Sequence, residues 1–205
     1  MPRPDSSGRQ RRRGSGPGPA PAPAAGRRAA PAAKRSIVWL ASYPKSGNTW
    51  LRIFLANYLL NAERPVPINE VHRIGLGDAV EATYRMVAQG LFDPSDLHQV
   101  LALRPRVLKA IVANGADINL VKTHNRRGRA LGVMLIPPEL TRSAIYIVRN
   151  PLDMVLSYAR HYGLSIERAV EAIGRSDNAL GSADGAVYQF LGNWSDHVRG
   201  WTRAK

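Results

Sequence analysis

The pattern of apolar and polar positions changes abruptly at Ser36. Ser36 to Ser42 (Ser-Ile-Val-Trp-Leu-Ala-Ser) is a short, nearly continuous apolar run, the pattern of a strand buried on both faces. After a turn, Thr49 to Asn61 has a helical period, with Leu51, Phe54, Leu55, Tyr58 and Leu59 on one stripe. Residues 62–117 are expected to be mostly helical, interrupted by Pro65, Pro67, Gly75, Gly77, Pro94 and Pro105, with Asp93-Pro94 as a helix start. A second strand is predicted over Ile118–Lys122 and a third over Ser143–Val148. Asn150-Pro151-Leu152-Asp153 then opens a helix: Asn caps, Pro takes the first position and Asp153 suits the positive end. That helix is expected to reach about His161 and stop at Gly163, with further helices at about 165–174 and 186–203. Strands alternating with helices predict an α/β protein: a mainly parallel central sheet flanked by helices in three layers.

Residues 1–35 contain no Leu, Ile, Val or aromatic residue and cannot bury enough apolar surface to offset chain ordering. They are expected to form a disordered basic tail, leaving 36–205 as the folded domain. The tail has nine Lys/Arg and one Asp and so carries +8 of the formal +14, which leaves +6 on the rest. A balance this mild suits an anionic small molecule as well as nucleic acid. The tail lacks aromatic residues for base stacking, so nucleic-acid binding through it is expected to be non-specific. The chain has no cysteine, which excludes disulfides, thiolate metal sites and cysteine nucleophiles. No apolar stretch of roughly 7–15 residues succeeds the basic start, and Arg52 interrupts the apolar run at 50–60, too short for a membrane span; a cytoplasmic location away from membranes is expected.

In open parallel sheets ligands bind beyond the carboxyl ends of the strands, so the residues after each strand carry the candidate chemistry. The first strand leads through Tyr43-Pro44-Lys45-Ser46-Gly47-Asn48-Thr49-Trp50 into a helix. A tight glycine turn with free amides at a helix N-terminus is an anion cradle, to which Lys45, Ser46 and Thr49 add a charge and two hydroxyls. It is not the nucleotide-triphosphate loop, in which Gly directly precedes Lys-Ser/Thr; here Lys45 precedes Gly47. The third strand ends in Arg149, where P-loop ATPases place a magnesium-holding Asp. Both departures point to an anionic substrate handled without a metal and count against a P-loop kinase or NTPase.

Four stretches in order resemble the sulfotransferases that use 3′-phosphoadenosine 5′-phosphosulfate (PAPS). Tyr43–Trp50 resembles that family's 5′-phosphosulfate loop, Lys122-Thr123-His124 its catalytic Lys-Thr-His, Arg149 to Ser157 its 3′-phosphate motif, and Trp194 to Trp201 its Trp-rich helix. The resemblance covers about 36–202 and implies the P-loop NTPase-like sulfotransferase fold. It implies that Lys45 sits against the oxygen bridging phosphate and sulfur, and that Ser46, Gly47, Asn48 and Thr49 hold the 5′-phosphate. Trp50 would stack on adenine, and Arg149 and Ser157 would take the 3′-phosphate. His124 is the implied general base toward a hydroxyl or amine acceptor, a small molecule or carbohydrate, and Lys122 would neutralise the transferred oxygens. His72, His98 and His161 have no such support, and Trp194, Val198 and Trp201 are expected to be core. Members of the family continue past the Trp-rich helix with a further strand and a basic segment over the 3′-phosphate. A C-terminally incomplete domain is therefore expected, with an open site, an unprotected sheet edge prone to self-association and weakened activity. A PAPS-binding protein without catalysis is the alternative.

Overall fold

A computed structural model describes residues 35–61, 63–73 and 75–203. Apart from Arg35, the predicted basic tail lies outside the described residues. The central sheet has four strands in the order β2-β3-β1-β6, and every pairing in it is parallel. These are β1 (Ile37–Ser42), β2 (Leu76–Gly77), β3 (Asn119–Thr123) and β6 (Thr141–Ile147). Two short antiparallel pairs lie outside it: β4 (Arg129–Ala130) with β5 (Val133–Met134), and β7 (Ala179–Leu180) with β8 (Gln189–Phe190). The helices are α1 (Asn48–Leu60), α2 (Glu81–Ala88), α3 (Leu97–Val112), α4 (Pro151–Tyr162), α5 (Ile166–Gly174) and α6 (Trp194–Thr202), with a 3-10 turn over Ile68–Arg73.

Alternation along the strands sorts the layers. Ile37, Trp39 and Ala41 of β1 and Val121 of β3 join a core with Tyr84 and Val87 of α2, Val100, Val107 and Leu108 of α3, and Trp201 of α6. Leu40 points the other way, also buried, on the side where α1 packs along β1. A second cluster gathers Tyr43 with Met154, Val155, Tyr158 and Ala159 of α4, Ala169 of α5 and Leu191. β6 closes one edge of the sheet, and Arg142 to Ile145 on it are exposed.

Caps obey the expected chemistry at α4, where the Asn150 side chain accepts from Leu152 N at 3.0 Å and Gly163 ends the helix at φ 64°. Four local expectations are revised. The Asp93 carboxylate folds back on Ser95, and Asp96 caps α3 instead, accepting from the amides of His98 and Gln99. Pro105 does not interrupt that helix, which runs through it. The helix expected at 186–203 begins only at Trp194, because Gln189–Phe190 pairs with Ala179–Leu180 and Asn193 caps α6. Within the region expected to be mostly helical, Leu76–Gly77 adds a strand against β3.

The largest revision concerns which face of α1 turns inward. The Asn48 amide donates to Leu40 O at 2.8 Å and to Ser42 Oγ at 3.3 Å, which fixes the helix rotation. Asn48, Arg52 and Ala56 then meet the sheet. Of the predicted stripe, Phe54, Tyr58 and Leu59 stay outside, 51, 72 and 55 % exposed, and Leu51 and Leu55 are only half-buried; Trp50, on the same outer side, is 70 % exposed. Trp50, Phe54 and Tyr58 bring their rings into line. These three rings stack in a ladder, Trp50 on Phe54 at 5.9 Å and Phe54 on Tyr58 at 6.0 Å between centroids.

Candidate functional site

The turn from β1 into α1 is anchored by Tyr43, whose buried hydroxyl donates to Gly192 O and accepts from Asn178. Beyond it, Lys45 adopts a left-handed backbone (φ 66°) and Gly47 another (φ 108°). A methyl group at Gly47 would meet Ile147 only at 3.9 Å, so its backbone angle rather than lack of space demands glycine. For Lys45 the same region costs about 1–2 kcal/mol, a strain retained at a turn that offers a cation and amides to one point. Among the described residues no side chain caps α1, so its first amides lack partners. The Ser46 hydroxyl is buried and likewise without a partner.

This turn borders a cavity of about 420 Å³ at the carboxyl ends of β1, β3 and β6. Lys45, Gly47, Asn48 and Thr49 line it from the turn, Lys122 and His124 from the end of β3, and Arg149 and Ser157 from the end of β6 and from α4. Arg149 also reaches back to Lys45 O at 3.4 Å, tying the two strand ends together. Ser157 lies two turns into α4, and His161 one turn beyond it also borders the cavity. Of the residues the sequence singles out, Ser46 and Trp50 are not among those lining it: Ser46 is buried beneath the turn and Trp50 stands outward. Among the described residues no Asp or Glu lines it, whereas Lys45, Arg52, Lys122 and Arg149 do.

Strand period places Lys122 and Thr123 on opposite sides of β3. Lys122 sits beside Leu40 on the α1 side, where burial, and after it Arg52, lowers its pKa against the partial support of Asp78. Thr123 turns to the other side and donates to Asp78 Oδ2 at 2.7 Å. His124 Nδ1 lies 2.8 Å from Ser42 O, and because a carbonyl only accepts, Nδ1 carries the proton. Nε2 is thereby the nitrogen with the lone pair. Burial, and next to it the Lys122 charge, hold the His124 pKa well below 6.5, so the ring is neutral at neutral pH.

A family model described as a sulfotransferase domain matches residues 35–205. The chain belongs to the sulfotransferase-domain family. The α/β three-layer fold with its parallel sheet is the one that membership implies, and sulfuryl transfer is the family's general chemistry. Among the described residues no helix is long and apolar enough to cross a membrane.

In this sulfotransferase domain the segment 123–125 is held from behind by groups that no local sequence signal singles out. Asp78 Oδ2 also accepts from Asn125 Nδ2 at 3.0 Å and from Arg104 Nη2 at 2.7 Å, a buried ion pair. Arg104 donates further to Leu135 O, and Trp201 Nε1 donates to Asn125 O. His197 of α6 is buried with both nitrogens engaged. Tyr146 OH donates to Nδ1 at 2.9 Å, and Nε2–H donates to the His124 carbonyl at 3.0 Å. Burial lowers the His197 pKa to about 4. The Trp-rich helix thus contributes a neutral histidine that fixes the backbone of His124.

A second cavity, about 620 Å³, meets the first at Arg52 and Lys122, which line both. Leu76, Ala79, Val80, Met86 and Ile111 give it apolar walls, with Asn114 and Asp184 as polar groups. Arg52 and His161 are the site residues that sequence reasoning missed. Each had one signal: a charge inside an apolar helix one turn after Asn48, and an imidazole one turn after Ser157.

Proposed function

We propose that this domain transfers the sulfuryl group of PAPS to a hydroxyl or amine on a small, largely apolar acceptor. The observation that carries the reading is the convergence of three strand ends on one cavity, where cations and unpartnered donors meet a histidine of defined tautomer. The fit to an anionic donor rests on the unsatisfied Ser46 hydroxyl, the uncapped amides of α1 and a lining with cations but, among the described residues, no carboxylate. When bound, the donor supplies an activated sulfuryl group and a stable leaving nucleotide, 3′-phosphoadenosine 5′-phosphate.

In this reading the turn amides, Ser46 and Thr49 bind the 5′-phosphate, and Lys45 stabilises the charge that grows on the departing oxygen. Gly47 and Asn48 shape the turn, the latter by its hydrogen bonds to β1. Arg149 offers a planar fork and Ser157 a hydroxyl to the 3′-phosphate. Trp50, exposed and stacked on Phe54, gives adenine an aromatic surface. His124 Nε2 accepts the proton of the attacking acceptor, because burial and the Lys122 charge keep the ring neutral. The acceptor enters from the apolar cavity, whose volume suits a small molecule and which meets the donor cavity at Lys122. No metal has a role in this reading.

Isothermal titration with 3′-phosphoadenosine 5′-phosphate and ATP tests it. One charge-assisted hydrogen bond to the 3′-phosphate is worth about 1.5–3 kcal/mol, so at least about tenfold preference over ATP is expected. Equal affinity for the two nucleotides would overturn the assignment. Transfer of radiolabelled sulfate from PAPS to a panel of phenols, aliphatic alcohols and amines then identifies the acceptor class.

A further inference from the structure

Arg52 is a half-buried guanidinium that lies one turn after Asn48 on the face of α1 that meets the sheet, and it lines both cavities. Its Nε is shielded from solvent and makes no hydrogen bond. Among the described residues its side chain forms no ion pair. Burial lowers its pKa with no carboxylate opposing the effect, and its charge also depresses Lys122 and His124. Two cations placed side by side, of which only Lys122 has the partial support of Asp78, raise the energy of the ligand-free protein. An arginine kept there for structure alone would be expected to find an acceptor for its shielded nitrogen. An anionic group of a ligand in the cavities is the partner that this arrangement fits.

The position of Arg52 selects the anion. Lys45 and Arg149 border only the donor cavity, whereas Arg52 and Lys122 border both. If the domain transfers sulfuryl from PAPS, the reading on which this inference rests, the group that passes between the two cavities is the sulfuryl group. We propose that Arg52 is a further catalytic residue that, together with Lys122, holds the non-bridging oxygens of the sulfuryl group during transfer. The bond from sulfur to the 5′-phosphate oxygen breaks, and its electron pair stays on that oxygen beside Lys45. A bond from the acceptor oxygen or nitrogen to sulfur forms, and the acceptor proton passes to His124 Nε2. The non-bridging oxygens carry negative charge throughout, so cations placed on them act before and during transfer. The planar guanidinium can meet two such oxygens at once, while Lys122 contributes a point charge.

The test compares PAPS with 3′-phosphoadenosine 5′-phosphate, which differ by the sulfuryl group alone. Both are titrated calorimetrically into the wild-type protein, Arg52→Met and Arg52→Lys. Arg52→Met is expected to lose about tenfold or more in PAPS affinity, the equivalent of one charge-assisted hydrogen bond, and to keep its affinity for the desulfated nucleotide. Arg52→Lys recovers part of the loss. A second readout is the melting temperature without ligand, expected to be unchanged or higher in Arg52→Met because an uncompensated charge is removed. Equal loss of both nucleotides, loss of neither, or a lower melting temperature overturns the role of Arg52 while leaving the donor reading standing. A wild-type protein that binds neither nucleotide overturns the donor reading itself, and the role of Arg52 with it.

Discussion

Asp78→Ala is expected to be the most damaging single substitution away from the cavity lining, and its cost can be worked from the structure. Asp78 is buried, and its Oδ2 accepts from Arg104, Thr123 and Asn125 at 2.7, 2.7 and 3.0 Å. Removing one member of a buried pair costs about 3–5 kcal/mol, because the remaining charge loses its compensation. Arg104 would retain the neutral Leu135 carbonyl, with no carboxylate against its charge among the described residues. The orphaned Thr123 and Asn125 donors add about 1 kcal/mol or more each, partly overlapping with the first loss. A total of about 5 kcal/mol is comparable with the entire stability of many domains, about 5–15 kcal/mol. With a urea slope of about 2 kcal/mol/M, the unfolding midpoint is expected to fall by about 2.5 M. Equilibrium urea unfolding followed by tryptophan fluorescence measures it. The double variant Asp78→Asn with Arg104→Met removes both charges while keeping similar volume, and should recover most of the loss. A midpoint change under about 0.5 M for Asp78→Ala, or a double variant no more stable than Asp78→Ala, would refute the reasoning.

Lys45→Ala and His124→Ala should separate two roles in titration and turnover. The first is expected to lower nucleotide affinity and turnover together; the second should leave affinity nearly intact and lower turnover by about 10²–10⁴, and a fully active His124→Ala enzyme would remove that residue from the mechanism. Stability should also fall in acid. His197 titrates at about 4 when folded, against about 6.5 unfolded, so the unfolded chain binds more protons between those values. This contribution is complete above pH 6.5, declines as pH falls and is gone near pH 4; His197 alone accounts for about 3 kcal/mol, and the depressed His124 adds in the same direction. Urea midpoints measured between pH 7 and pH 4 check this, and His197→Asn should flatten the profile.

The strand–turn–helix at 37–60 is legible in the chain itself, because a continuous apolar run, a left-handed glycine and a helical period are each local signals. So are α4 and its ends, since Asn150, Pro151 and Gly163 act on the backbone beside them. The residues at the three strand ends were legible for a related reason: in a parallel sheet the chain leaves every strand on the same side, so ligand-facing residues recur at one place in each repeat. The remaining features depend on assembly. Periodicity gave α1 as a helix, but two hydrogen bonds from Asn48 to β1 chose which face turned inward, and so left the Trp50 ladder outside and carried Arg52 to the junction of the cavities. Arg104 reads as an ordinary surface charge until the fold brings it to Asp78, 26 residues earlier in the chain. The His124 tautomer depends on a carbonyl 82 residues away, and its backbone on His197, 73 residues away. Local patterns specify backbone conformation within a turn or two. The partner of a buried charge or an imidazole nitrogen is set by which strands lie side by side, and that becomes fixed only when the sheet assembles.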